Sequence, residues 1–396
     1  MEKEHEVVVL SAVRAPIGKY GGSLKDVSPT DLGAAVVRES IVRAGISSDE
    51  VNQVVFGNVI HTEAKDMYLA RVAAVRAGLP VSTPALTLNR LCGSGLQAIV
   101  SAAQVIRLGE ATVAVAGGAE SMSRAPYWLT NMRWGQRMGD GAAIDAMVGA
   151  LTDPFDTVHM GITAENVARK WDVSRADQDA LAVGSHQRAL DAIKNGKFKE
   201  QILPIEVGSK KQARLFDTDE SPRADATSES LGKLNPVFDK AGTVTAGNAS
   251  SISDGAAAVV LMEKSAAAER KLKPLGRLVG SIVVGVEPKF MGIGPVPAVK
   301  ALLQKTGLTI DQIDVFEVNE AFAAQALAVA RDLGLPDNKV NPNGSGISLG
   351  HPIGATGAIL TVKLLYELRR TGGRYGLVTM CIGGGQGIAA VFEAVN

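Results

Sequence analysis

The 396-residue sequence predicts an α/β fold in two similar halves, with an insertion between them. Three observations carry this expectation. Apolar β-branched runs alternate with segments of helical period, the pattern of parallel strands joined by crossover helices. Glycine numbers 43 while aromatic residues make up 4% of the chain, so packing relies on small and aliphatic side chains with tight turns, which disfavours a β-sandwich. The stretch AGISSDEV (44–51) is echoed by TGLTIDQI (306–313), bringing Gly45 opposite Gly307 and, after a one-residue deletion, Asn58 opposite Asn319. Chance similarity in a Gly/Ala-rich chain is the alternative to duplication.

Taken in order, VVVL (7–10) reads as a buried strand. Ser28-Pro29-Thr30-Asp31 follows with an N-cap, a proline at the first helical position and an acid in the first turn, ahead of Leu32, Val36 and Ile41 on one helix face. Strands are expected at 54–56 and 112–118, with helices between. The last third repeats the plan: AGLP (77–80) has its counterpart in LGLP (333–336), and TVAVAGG (112–118) in YGLVTMCIGGG (375–385). Between the halves, roughly 121–249, the texture changes to charges and irregular Pro/Gly stretches, and all three tryptophans (Trp128, Trp134, Trp171) fall there. Within it Ser174 and Asp177 cap a helix bearing Leu181, Ala189 and Ile193 and ended by Gly196. The expected division is therefore 1–120, an inserted loop domain at 121–249, a return to the first half at 250–271, and a second half at 272–396. An insertion this large on an α/β fold is expected to cover a ligand.

Lysine plus arginine and aspartate plus glutamate each number 41, a formal net charge of zero, which removes the electrostatic footprint of a nucleic-acid binder. The opening MEKEHEVVVL lacks the basic start and long apolar core of a signal peptide, and no run approaches a membrane span. The two cysteines, Cys92 and Cys381, cannot build a disulfide framework and fit a reducing compartment. A cytoplasmic protein with two free thiols, no membrane and no nucleic-acid partner is expected.

Four polar sites flanked by glycine stand out: Asn89–Gly95, Val318–Phe322, Gly350-His351-Pro352 and Cys381–Gly385. In the duplicated plan all fall at strand ends or at turns into helices, where open α/β sheets bind ligands. A thiol at a helix N-terminus has its thiolate stabilised by unpaired N–H groups and the helix dipole, so Cys92 is a candidate nucleophile with a lowered pKa. The glycines after it admit a carbonyl to the backbone, where the Cys92 N–H can serve an oxyanion hole. A buried core cysteine is the bland alternative. His351 is the only one of five histidines in a glycine-rich turn (344–357), a placement that suits a general base for a thiol. Cys381 closes an apolar strand ahead of three glycines. Gly93-x-Gly95-x-x-Ala98 also fits a dinucleotide fingerprint, with Glu120 at the end of a later strand, and makes a dehydrogenase the competing reading. Against it, Asn89-Arg90-Leu91-Cys92 intervenes between strand and fingerprint, and the same spacing recurs at Gly385, Gly387 and Ala390 with no helix and acid behind it.

At these motifs the sequence resembles the thiolases of the bacterial acetyl-CoA acetyltransferase or β-ketothiolase type. The resemblance runs end to end through LCGSG, TAGNASSISDGAAA (245–258), VNEAFA, NPNGSGISLGHPIGATGA (341–358) and MCIGGGQG. It implies a thiolase-like fold of two duplicated βαβαβαββ halves, a large loop domain inserted in the first, and a homotetramer. It implies Cys92 as the acylated nucleophile, His351 as its base, and Cys381 as the acid/base that handles the acceptor's α-proton. Asn319, through a bound water, and His351 would hold the enolate oxygen, and the N–H groups of Cys92 and Gly383 the second oxyanion. Coenzyme A and acyl-CoA thioesters are the implied substrates, with no permanently bound cofactor and no metal. Similarity places Arg223 near the adenine nucleotide and Ser250 and His159 beside the pantetheine. It lines the tunnel with Leu151, Met160, Phe238, Ala246, Met291, Ala321 and Phe322. The stretch Asn58–Tyr68 departs from the acetoacetyl-specific biosynthetic type. A β-ketoacyl synthase, which normally pairs its cysteine with two histidines, and a silent acyl-CoA or lipid carrier, expected to lose the thiols, are the rival readings.

Overall fold

The structure, a computed structural model, describes residues 5–209 and 211–395. Its main sheet holds nine strands of substantial length: β1 (Val7–Arg14), β2 (Gln53–Gly57), β3 (Ala85–Leu88), β4 (Val113–Ser121), β5 (Ser253–Glu263), β6 (Gly276–Gly285), β7 (Val315–Val318), β8 (Tyr375–Ile382) and β9 (Gln386–Ala394). The spatial order is β7-β8-β9-β6-β1-β5-β4-β2-β3, and a two-residue strand at 18–19 joins β5. The halves meet where β1 pairs antiparallel with β6.

Outward from that seam the two halves repeat. In the first, β1 pairs antiparallel with β5, β5 antiparallel with β4, and β4, β2 and β3 run parallel. In the second, β6 pairs antiparallel with β9, β9 antiparallel with β8, and β8 and β7 run parallel. A single parallel bridge from Phe316 to Val340 stands where β3 stands in the first half. The duplicated βαβαβαββ plan is therefore present as register as well as sequence.

Local chemistry explains the helices. In α1 (Pro29–Ala44) the Ser28 hydroxyl accepts from the Asp31 N–H, Pro29 sits at the first position, and Gly45 ends the helix with φ of 67°. α2 (Leu69–Ala77) packs with α1 on the outer face of the first half. α3 (Ser94–Arg107) is apolar around most of its circumference and lies in the central core. The insertion contributes α4 (Ala146–Ala150), α5 (Met160–Lys170) and α6 (Arg175–Lys194). In the second half α7 (Pro295–Thr306) covers the outer face, α8 (Ala323–Leu333) follows β7, and α9 (Thr356–Thr371) is buried beside α3.

The α3–α9 contact explains two glycines of the motifs. A Cβ on Gly95 would lie 2.7 Å from the Ala358 nitrogen, and one on Gly357 would collide with the Leu96 nitrogen. Two helix backbones touch there, so Gly95 serves helix packing and not a pyrophosphate, and the dinucleotide reading loses its physical basis. β4 runs to Ser121, beyond the 112–118 expected, because Ala119–Ser121 continue the ladder onto Asp254–Ala256. No helix among the described residues is long and apolar enough to cross a membrane.

Candidate active site

Cys92 stands on the turn from β3 into α3, and its motif neighbours hold that turn. The Asn89 carboxamide oxygen accepts from the Leu91 N–H at 2.8 Å, and the Ser94 hydroxyl accepts from the Arg90 N–H at 2.8 Å while donating to the Leu91 carbonyl at 2.7 Å. Arg90 reaches across to Gln386 of the second half. Leu91 takes a left-handed φ of 46°, a conformation costly for a branched residue, and presents Cys92 to a cavity.

That cavity, about 400 Å3, collects residues from both halves and the insertion. Cys92, His351 and Gly383 line it together with every residue assigned above to the pantetheine and tunnel: Ser250, His159, Leu151, Met160, Phe238, Ala246, Met291, Ala321 and Phe322. His159 caps α5, its Nδ1 accepting from the Gly161 N–H at 3.0 Å, and stacks on Phe238 with ring centroids 4.5 Å apart. Arg223 is not brought in. Its backbone N–H donates to His186 Nδ1 and its guanidinium is exposed beside Asp225, outside the residues lining the cavity.

His351 is buried at the end of a turn, and its two ring nitrogens have different neighbours. Nδ1 lies 2.6 Å from the Thr356 hydroxyl and Nε2 3.3 Å from the Asn319 carboxamide nitrogen. Burial pulls the imidazole down to about 4, so it is neutral at pH 7. Asn319 follows β7 directly; its Oδ1 is buried without a hydrogen-bond partner among the described residues. Cys381, near the end of β8, is fully buried in an apolar cluster with Met160, Met291, Ala321 and Phe322.

The expectation of a lowered Cys92 pKa is corrected. Burial pushes its thiol up to about 11, against the opposing pull of the Gly383 N–H and its own N–H. The reason is geometric: α3 begins only at Ser94, and the apolar walls withdraw more solvation from a thiolate than two backbone donors restore. Burial also pushes the Cys381 thiol up, with the neighbouring Cys92 adding to it. The resting site therefore holds two thiols and a neutral imidazole at pH 7.

The sequence missed the roles of two residues, Glu120, read there as the acid of a dinucleotide fingerprint, and Thr356. Glu120, fully buried, accepts from Asn58 Nδ2 and from the N–H groups of Val59, Ile60 and Gly354 at 2.8–3.1 Å, tying the loop after β2 to the turn of His351. Thr356 was visible only as the fifth residue after His351. A second, largely apolar cavity of about 470 Å3 adjoins the first, sharing Leu91, Ala150, Met160 and Gly383, and reaches Val59, Met67 and Trp128.

Models of the thiolase N-terminal domain and the thiolase C-terminal domain match residues 7–265 and 272–394. The chain belongs to the thiolase family. This thiolase is 63% identical to the β-ketothiolase BktB of Cupriavidus necator over 98% of its length and 99% of the relative's. It is 49% identical to an acetyl-CoA acetyltransferase of Syntrophomonas wolfei, again over 98% and 99%. Among solved structures, human mitochondrial 3-ketoacyl-CoA thiolase in complex with CoA superposes with a TM-score of 0.96 at 46% identity, over 99% of this thiolase and 98% of that chain. The acetyl-CoA acetyltransferase of Bacillus anthracis gives a TM-score of 0.98 at 47% identity, covering 100% of both chains.

Proposed function

We propose that this thiolase makes and cleaves 3-ketoacyl-CoA by reversible Claisen chemistry, passing the acyl group through Cys92. The observation that carries the reading is the convergence of Cys92, His351 and Gly383, from three separate motifs in two halves, on one cavity. Such chemistry needs a nucleophile for a thioester carbon, a separate base for a carbon acid, and donors for two oxyanions.

In this reading Cys92 Sγ attacks the thioester carbon and His351 Nε2 takes its proton. The tetrahedral oxyanion sits at the N–H groups of Cys92 and Gly383, both of which approach the thiol at rest. Its collapse breaks the bond to the CoA sulfur, which leaves with the Cys381 proton. In the second half the Cys381 thiolate removes an α-proton from acetyl-CoA, and Asn319, through a bound water, and His351 hold the enolate oxygen. The enolate carbon attacks the S-acyl carbon, and Cys92 departs taking back its proton from His351. The balance is two acyl-CoA molecules in, one 3-ketoacyl-CoA and one CoA thiol out. A buried thiol with a raised pKa suits the second step, because its thiolate, once formed, is a strong base.

Pantetheine would run between Ser250 and His159 along Leu151, Met160, Phe238, Ala246, Met291, Ala321 and Phe322, with Arg223 reaching the adenine nucleotide at the surface. No permanently bound cofactor is part of this scheme. The working assembly is a homotetramer in the cytoplasm. In its support, the segment 127–145 exposes Tyr127, Trp128, Met132, Trp134 and Met138, apolar area that a free surface rarely carries. The domain division at 120, 249 and 271 belongs to the same reading.

Mass spectrometry after mixing with acetyl-CoA should show an acetyl adduct on Cys92, absent in Cys92→Ser; an adduct on Cys381 alone would reverse the roles. Light scattering should give four times the 41.2 kDa chain mass, and a stable monomer at assay concentration would end the tetramer proposal.

A further inference from the structure

We infer that Thr356 is a positioning residue that fixes the tautomer of His351, leaving Nε2 bare to receive the Cys92 proton. The Thr356 hydroxyl has a single proton and two neighbours: the Pro352 carbonyl oxygen at 2.9 Å and His351 Nδ1 at 2.6 Å. The Pro352 carbonyl oxygen, which also accepts from the Ala355 and Thr356 N–H groups, can only accept, and in this assignment the hydroxyl proton goes to it, as a threonine at the start of a helix bonds back to the preceding turn. The hydroxyl oxygen then accepts, and Nδ1 must carry the hydrogen it accepts. A neutral imidazole has one N–H, so Nε2 holds a lone pair. The neighbour of Nε2 must therefore be a donor. The Asn319 carboxamide nitrogen, 3.3 Å away, is a donor, and its oxygen is left without a partner among the described residues.

Each contact along the chain is compatible with this assignment. The reverse tautomer would turn the hydroxyl proton from Pro352 to Nδ1 and the Asn319 carboxamide oxygen toward an Nε2–H, two rearrangements that the spectrum described below detects. Position and sequence make the device local: Pro352 and Thr356 are one and five residues past His351, and the hydroxyl bond to Pro352 spans the turn that leads into α9. The ring is buried, so water does not compete for either nitrogen. When Nε2 takes the Cys92 proton, the Nδ1–H to Thr356 contact is kept, so the ring does not turn during the transfer. Burial supports the same picture by keeping the imidazole neutral near pH 7.

This inference rests on His351 being the base for Cys92, and the test separates the two. Imidazole 15N NMR on the intact, 15N-histidine-labelled enzyme, with the His351 signals identified by their loss in His351→Gln, reads the tautomer without any turnover. The parent should show Nδ1 protonated and Nε2 unprotonated at pH 7.5. Thr356→Val, of nearly the same shape, should show mixed or reversed tautomers and should acylate Cys92 about tenfold to a hundredfold more slowly, part of the 10²–10⁴ that a positioned base supplies. The loss should fall on kcat, with KM for acetyl-CoA moving less than about twofold. Thr356→Ser should restore both signal pattern and rate to within about threefold, which a packing role for the threonine methyl would not permit. A protonated Nε2 in the parent, parental acylation in Thr356→Val, or failure of the serine variant to restore the rate would overturn the inference. Full acylation in His351→Gln would instead overturn the reading beneath it while the NMR still decided the tautomer. If Thr356→Val does not fold, the parent spectrum and the serine variant carry the test.

Discussion

Asn58 and Asn319 stand at the same step of the duplicated topology, each directly after the second strand of its half. In the first half Gly57 of β2 pairs with Gly118 of β4; in the second Val318 of β7 pairs with Thr379 of β8. Two residues further along come Glu120 and Cys381, which face Gly255 and Gly387 on the next strand. The backbone is thus the same and the side-chain pair differs: Asn58 with Glu120, Asn319 with Cys381. Glu120 gathers four donors and becomes a tie between the halves. Burial pushes it up to about 8 although three backbone N–H groups pull it down. Cys381 sits instead among apolar side chains, and Asn319 turns to an imidazole. A carboxyl group held by four donors has no spare coordination for substrate, whereas a thiol among apolar side chains at the matching place is free for the proton exchange proposed above. Duplication supplied two equivalent positions, and the residue at one register position separates a structural joint from the thiol that the proposed mechanism uses.

The largest effect that tests this contrast lies in the second half. Cys381→Ala should still acquire an acetyl group at Cys92, within about tenfold of the parent rate, because CoA is able to leave as the thiolate and take its proton from water when Cys381 is absent. It should lose exchange of acetyl-CoA α-hydrogens with deuterated water by roughly 10²–10⁴, the range of a general base. Retained exchange with condensation lost would assign the base elsewhere and break the contrast.

A second test asks how far burial governs the thiols. Since Cys92 is pushed up to about 11, its thiolate fraction rises tenfold for each unit of pH below that value. Alkylation of Cys92 by iodoacetamide in the resting enzyme should therefore climb about a thousandfold from pH 7 to pH 10. A plateau beginning near pH 8.5 would mean that the site does not desolvate the thiol. His351, pulled down to about 4, should add no inflection near 6.5.

The smallest catalytic effect is expected from the first half. In Glu120→Gln one carboxyl oxygen is replaced by an N–H2 that meets the Val59 and Gly354 N–H groups, so two buried donors lose their acceptor. At about 1–3 kcal/mol each this should cost roughly 2–6 kcal/mol, read as a lower denaturation midpoint. Cys92 acylation in the folded fraction should fall less than about tenfold. A loss as large as that of Cys381→Ala, without loss of stability, would make Glu120 part of the chemistry.

Much of this was legible because it is local. The Ser28 and Ser174 caps, the proline at the start of α1 and the left-handed glycines depend on neighbours a few residues away, and these features form as the spacing predicts. The repeat was legible because duplicated topology keeps its turns. The gathering of Leu151, Met160, Phe238 and Met291 around one cavity came from the resemblance, since nothing in their spacing points to a common wall. Thr356 was silent and Glu120 was read only as the acid of a dinucleotide fingerprint: a threonine in the first turn of a helix and a glutamate ending a strand have ordinary meanings until their partners are known.

By itself the sequence determined the capped helices and the main apolar strands, that the unit occurs twice, and which residues are capable of nucleophilic and base chemistry, because each of these is set within a turn or a strand length, whereas the end of β4 was set by its ladder to β5. Tertiary structure alone decided the electrostatics. Cys92 carries a helix-start signature that should lower its pKa, yet walls from the second half and the insertion raise it to about 11. Arg223 lies outside the cavity because its loop is held by His186 on α6. Desolvation is a sum over everything packed around a group, and most of that packing comes from residues hundreds of positions away, so neither the protonation state of a thiol nor the tautomer of an imidazole can be read before the chain has closed around it.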